Sequence, residues 1–185
     1  FGLVTYATKG VSFGAIEPAI PKMIIPKVNG FPTIILWAVA AIVIVWFIWN
    51  KTTFGKNLYA VGGNPEAAAV SGISVFAVTM GAFILAGILY GFGSWLECAR
   101  MVGSGSAAYG QGWEMDAIAA CVVGGVSFTG GIGKISGVVV GVLIFTVLIY
   151  SLTILGIDTN LQFVFEGIII ITAVTLDCLK YVQKK

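Results

Sequence analysis

Charged residues punctuate this chain more than they cover it. None falls between Val28 and Asn50, between Ala67 and Leu96, between Ala117 and Gly133, or between Ile135 and Ile157. Crossing about 30 Å of hydrocarbon at 1.5 Å per residue takes about 20 mostly apolar residues. All but the glycine-broken Ala117–Gly133 stretch are long enough to do so as straight helices. A water-soluble fold is excluded by the same count, because only 10% of the 185 residues are charged where a soluble domain carries about 25%. Disorder fails for the opposite reason: 58% of positions are hydrophobic, and disordered chains lack such residues.

The uncharged stretches divide into membrane segments. The first runs from Pro32 to Trp49, with Pro32 suited to a first helical turn and Trp46 and Trp49 placed as interfacial aromatics. A second spans Val75 to Trp95 and contains Gly81, Gly87, Gly91 and Gly93, which let backbones approach closely. Ala117 to Gly133 is interrupted by Gly124, Gly125, Gly130 and Gly131, so it reads as a tilted span or as two half-helices joined inside the membrane. Ile135–Ile157 and Leu161–Cys178 complete the set. The expected fold is an all-α polytopic transmembrane bundle, with about four to six membrane segments and one short or re-entrant glycine-broken segment, forming a single domain over residues 1–185.

Lys51 and Lys56 follow the first segment, and Lys180, Lys184 and Lys185 close the chain, whereas Asp158 alone lies between the last two segments. If the glycine-broken segment crosses fully, the positive-inside rule puts the Lys51–Glu66 loop and the C-terminus on the cytoplasmic side. Lys22 and Lys27 then fall outside, so the rule is met only in part.

Several chemistries are absent. Without a histidine there is no His-based general base and no zinc site of the usual kind, so neither catalysis nor a cofactor nor a metal is expected. Cys98, Cys121 and Cys178 lie far apart and read as small buried hydrophobes. A net charge of +2 without a basic stripe argues against nucleic acid. Gly131-Ile-Gly-Lys134 fails as a phosphate loop, since Phe128 and Ile135 stand where a glycine and a Ser or Thr are needed, and as a dinucleotide fingerprint, since Ser136 replaces the third glycine.

The stretch from Asn50 to Ile73 is the most informative. Asn64 before Pro65 reads as an N-cap and a first-turn proline, Glu66 complements the positive helix end, Ala67–Ala69 favour helix, and Gly72 stops it after Ser71. The short helix that results is either a surface connector or a docking element for a partner. Gly133, Gly137 and Gly141 recur every four residues and are expected on one helical face, for packing. Glu97 and Arg100 are spaced to pair at a helix end; with Glu114 and Asp116 they read as a solvated extracytoplasmic face, or as one that receives a binding protein. Glu166 lies a few residues inside the last segment and is expected at the interface, a proton relay being the alternative.

Phe54-Gly-Lys-Asn57 with Gly62-Gly-Asn-Pro-Glu-Ala-Ala-Ala-Val-Ser-Gly-Ile73 resembles the cytoplasmic coupling loop of the sugar-type permeases of bacterial ABC importers. Asp116-Ala-Ile-Ala-Ala-Cys-Val-Val-Gly-Gly-Val-Ser-Phe-Thr-Gly-Gly-Ile-Gly133 resembles the glycine signature that this family shares with branched-chain amino acid permeases. Asn50-Lys-Thr52, the Ala119–Val123 core and the ending from Asp177 are most similar to its galactose/methyl-galactoside branch. Lys134 departs from the small Thr or Ser that usually follows the signature.

The resemblance implies an inner-membrane permease subunit of which this chain is the C-terminal half, moving galactose, a methyl galactoside or another sugar such as ribose. It implies a cytoplasmic ATPase subunit gripping Gly63, Asn64, Pro65, Glu66, Ala67, Ala68, Ser71 and Gly72, a periplasmic sugar-binding protein, a second permease chain, and lipid around the helices. Gly124, Gly125, Gly130, Gly131, Gly133, Gly137 and Gly141 would serve helix packing near the translocation path. An ion-coupled secondary transporter and a membrane scaffold are the rival classes.

Overall fold

The computed structural model describes residues 2–9, 11, 19–28, 31–101, 105 and 109–182; Phe1, Gly14, Lys184 and Lys185 lie outside the described residues. In chain order the elements are α1 (Gly2–Thr8), α2 (Ala19–Ile24), β1 (Lys27–Val28), β2 (Phe31–Pro32), α3 (Ile34–Lys51), α4 (Thr53–Gly63), α5 (Pro65–Val70), α6 (Val75–Arg100), α7 (Trp113–Val123), α8 (Ile135–Ile154) and α9 (Thr159–Val182). Among the described residues the strands form one antiparallel two-residue ladder, Lys27 opposite Pro32 and Val28 opposite Phe31, so the all-α expectation holds. Pro32 belongs to this ladder and not to a helical first turn. Helix α3 begins two residues later because Thr33, whose carbonyl accepts from Leu36 N, also donates its hydroxyl to Pro26 O at 2.8 Å.

Helices α3, α6 and α8 are each long and apolar enough to cross a membrane, while the apolar part of α9, Thr159–Thr175, is shorter. Their surfaces are turned inside out relative to a soluble protein. Leu36, Val43 and Phe47 on α3 and Leu143 and Val147 on α8 are more than half exposed. Leaving such side chains in water forgoes about 1.5–3 kcal/mol each, a loss that lipid or further protein removes.

The chain gathers into two compact units, residues 1–45 with 79–111, and residues 46–78 with 112–185. In the first, Ile24, Leu96 and Ala99 are buried together with Ile25 and Phe92 packed against them. The Trp37 ring stands edge-on to Phe92 and Trp95, with centroids at 6.1 and 6.2 Å, and its Nε1 donates to Ile24 O at 3.1 Å. Glu97 and Arg100 pair as their spacing predicts, and Tyr109 donates its hydroxyl to the Glu97 carboxylate at 2.5 Å. Cys98 is exposed in the described chain and Cys121 half-buried, so neither is the fully buried small residue expected of it.

In the second unit α7 is an 11-residue helix. At 1.5 Å per residue it rises only about 16 Å, so Ala117–Gly133 is a short helix followed by a non-helical glycine loop, not one continuous span. A Schellman cap ends α7: Val126 N donates to Cys121 O at 3.0 Å and Gly125 N to Val122 O at 2.8 Å, with Gly125 at φ 81°. Beyond the loop, α8 returns against α7. A Cβ on Gly124 would lie 2.5 Å from Gly137 O, and one on Gly141 would overlap Ala120 O. Ala119, Ala120 and Phe145 are buried beside this contact.

Gly133 does not share the helical face of Gly137 and Gly141. Helix α8 starts at Ile135 after Lys134 in extended conformation, and a Cβ on Gly133 would meet Val126 Cγ2 at 3.3 Å instead. The Glu114–Asp116 face also differs from expectation: Asp116 is only partly exposed, with Oδ1 buried. Glu166, expected at the interface, is 5% exposed.

Substituting Gly141 by Val forces backbone apart from backbone at this crossing. It is expected to destabilise the protein by about 3 kcal/mol, the upper end for an overpacked contact. Gly167→Ala, inside α9 where a Cβ meets nothing within 4 Å, should not lower the melting temperature in detergent and should raise it slightly, since a helical glycine costs about 1 kcal/mol relative to alanine.

Candidate functional site

The residues singled out between Gly63 and Gly72 form one helical elbow. At its start, Thr52 turns the chain out of α3 by donating its hydroxyl to Ile48 O at 2.6 Å and accepting from Gly55 N at 3.2 Å. That N-cap begins α4, a helix over Thr53–Gly63 that intrinsic propensity does not predict. Gly55, Gly62 and Gly63 argue against helix by propensity, since each costs about 1 kcal/mol relative to alanine. Tertiary contact overrides them: Gly55 is buried against the carbonyl of Trp49.

At Asn64 the chain bends again. Asn64 is extended, and its Oδ1 accepts from Ala67 N at 3.0 Å, with Pro65 in the first turn and Glu66 beside the helix N-terminus, as its sequence predicts. Ser71 closes α5 by donating to Ala67 O at 2.9 Å. Gly72 then takes φ 84° so that Ile73 N can reach back to Ala68 O at 3.0 Å. One side of α5 is fixed, with Ala68 4% exposed. Gly63, Asn64, Pro65, Glu66, Ala67, Ser71 and Gly72 are exposed, and Val70 is 91% exposed.

The second group, the signature glycines, divides into two sets. Gly124, Gly137 and Gly141 make the α7–α8 crossing, while Gly130 and Gly131 reach α4. A Cβ on Gly62 would lie 2.7 Å from Gly131 N, one on Gly131 would lie 2.6 Å from Gly63 Cα, and one on Gly130 would overlap Gly62 O. Tyr59 on α4 donates its hydroxyl to Gly133 O at 2.8 Å. Only Gly125 approaches nothing; its role is the left-handed cap of α7. The loop is held in shape by Ser127 N donating to Ile132 O at 3.0 Å and by a 2.8 Å bond between the Ser127 and Thr129 hydroxyls.

The elbow and the signature, read separately in the sequence, are therefore one site, in which α4 lies backbone to backbone on the glycine loop. An open cleft of about 440 Å³ beside it is lined by Tyr59, Gly131, Gly133, Lys134, Ser136 and Gly137 among others. Tyr59, Gly62 and Val70 were missed. Thr52 in an N-cap position and an apolar Val70 at the end of an alanine helix were the available signals.

What the site offers is mostly backbone: glycines in close approach, with Tyr59, Lys134 and Ser136 at the cleft beside them. Its property is mechanical. With no side chains between them, α4 and the loop have no rotamers to absorb displacement, and movement of one displaces the other.

The family description "branched-chain amino acid transport system / permease component" matches residues 3–174. The galactose/methyl galactoside import permease protein MglC of Treponema pallidum is 55% identical over 194 residues, covering 100% of this chain and 36% of that protein. Its Escherichia coli K12 counterpart is 53% identical over 82% of this chain and 45% of that protein. The ribose import permease protein RbsC of Bacillus subtilis is 42% identical over 80% of this chain and 46% of that protein. The chain thus spans between about a third and a half of the length of these relatives. No solved structure matches it. A match over nearly the whole chain, together with its apolar helices, establishes that this chain belongs to the permease-component family of the branched-chain amino acid transport systems.

Proposed function

We propose that this chain is part of the multi-pass inner-membrane permease subunit of a bacterial ABC importer for galactose, methyl galactoside or a related sugar. In this reading ATP hydrolysis belongs to a separate cytoplasmic ATPase, and a periplasmic binding protein delivers the sugar. A second permease chain completes the path, and the C-terminus and the α4–α5 elbow face the cytoplasm. The similarity to relatives named as galactose/methyl galactoside permeases favours that sugar over ribose.

The observation that carries the mechanism is the seating of α4 on the glycine loop. Helix α5 presents a small-surfaced, exposed rod ending in Val70, which suits insertion into a cleft of the ATPase. Closure of an ATPase dimer on bound ATP displaces α5, and α4 passes the displacement to Gly130 and Gly131. The loop joins the end of α7 to the start of α8, so both helices shift and the path opens to one side or the other.

Exchange of Glu66 for Lys together with Ala67 for Trp is expected to lower ATP-dependent uptake of labelled galactose at least tenfold in proteoliposomes, about 1.4 kcal/mol in coupling; unchanged uptake removes the coupling role. Gly62→Val should separate the two activities, with ATP hydrolysis by the assembled complex retained and uptake lost. Asn64→Ala removes the α5 N-cap, worth about 1 kcal/mol, and should cut uptake several-fold without changing membrane yield. Uptake that survives without any ATPase would instead identify a secondary transporter.

A further inference from the structure

Two carboxyl groups that the coupling mechanism leaves unused meet inside the second unit. Asp116 stands in the first turn of α7 and Glu166 on α9. The two helices run parallel. Gly112, just before α7, lies against the ring of Phe163, where a Cβ would come within 3.0 Å of Cε1, and further along Ile169 and Ile170 pack against the cluster of Ala119, Ala120 and Phe145. This register sets Asp116 level with Glu166, close enough for the two carboxyl groups to act on one another. Glu166 is 5% exposed, and its Oε2 has no hydrogen-bond partner; Asp116 Oδ1 is likewise buried without one.

Among the described residues of the second unit, no cation stands beside this pair on the helices that carry and flank it. Helices α7 and α8 contain no Lys or Arg, and Lys180 on α9 is about 21 Å further along the axis at 1.5 Å per residue. The other ionisable groups on the surrounding elements lie elsewhere: Glu114 on α7, Tyr150 on α8 and Asp158 before α9 are exposed, and the half-buried Cys121 is more than a turn beyond Asp116. A metal ion is poorly served, because a hard cation takes six or more oxygens and the neighbours here are Phe163, Ala119, Ala120, Ile169 and Ile170. Two carboxylates set side by side with an oxygen of each buried repel one another, which disfavours ionising both. One proton placed between them lets the neutral carboxyl donate to the carboxylate and satisfies the orphaned oxygens.

We propose that Asp116 and Glu166 form a proton-binding site, a carboxylic acid–carboxylate pair that clamps α7 to α9. The proton comes from solvent when the pair closes and returns to it when the pair opens, taking the pair from one negative charge to two and driving the helices apart. Since α7 runs directly into the glycine loop, the clamp makes the mobility of the coupling site depend on pH. The site does not depend on which sugar is carried or on which protein drives transport.

In the full-length permease purified in detergent, infrared spectroscopy at neutral pH should show a protonated-carboxyl C=O band that disappears in Glu166→Gln. A wild-type protein without the band, or a band that survives the substitution, overturns the proposal. The wild-type melting temperature should fall by several degrees as pH rises from mildly acidic to mildly alkaline, and the profile of Glu166→Gln should be flat. Glu166→Met, which fills the site with an apolar chain, repeats both measurements should the glutamine variant fail to fold. A slope retained in the substituted protein overturns the proposal, as does a melting temperature that responds to sodium or a divalent cation and not to acid.

Discussion

Backbone touching backbone at glycine is the interaction on which the second unit depends. Helices in a bilayer gain little from burying apolar side chains against one another, because lipid tails are as apolar as leucine. What distinguishes one helix pairing from another is how closely the chains can come. At Gly124, Gly137 and Gly141 the approach is close enough to exclude a methyl group, and the same is true where Gly62 meets Gly130 and Gly131. Most large apolar side chains of α3 and α8 are left facing outward, so side-chain burial contributes little to fixing this arrangement.

That constraint bears on why an 11-residue helix can be followed by a glycine loop between apolar helices. Irregular backbone there is tolerated only where its polar groups are satisfied by protein. The loop meets the condition through its own turn, with Ser127 N to Ile132 O, and through the Tyr59 hydroxyl, which donates to the carbonyl of Gly133. Helix α4 therefore both completes the loop's hydrogen bonding and receives its contact. Removing the elbow would leave the Gly133 carbonyl without that donor.

Much of this was legible in the sequence. Charge-free stretches located α3, α6 and α8, because a bilayer imposes a length that composition alone can report. Asn64-Pro65 and Gly72 located α5 almost to the residue, because caps are local chemistry. The misses share a cause. Helix α4 contains three glycines and is not legible from propensity, since it is held by contacts with residues far along the chain, Gly130 to Gly133. Gly133 was grouped with Gly137 and Gly141 by periodicity, but periodicity says nothing about where a helix begins. The burial of Glu166 follows from the parallel register of α9 on α7, a tertiary fact that no window of sequence contains.

Helix α7 is consequently held at both ends by interactions of different kinds. Its C-terminal end is fixed by steric contact, which is stiff and indifferent to pH, salt and temperature over ordinary ranges. Its N-terminal end meets α9 through two carboxyl groups, an electrostatic contact that solvent, proton concentration and a change in burial can all alter. A rod pinned sterically at one end and electrostatically at the other pivots about the first when the second loosens. The pivot is the glycine contact with α8, next to the loop that α4 touches, so displacement passed from the elbow through the loop and separation at the Asp116–Glu166 end both act on the orientation of α7. The short length of α7 makes this possible: at about 16 Å it is too short to span the bilayer and be anchored by lipid at both faces, so its orientation is set by these two protein contacts.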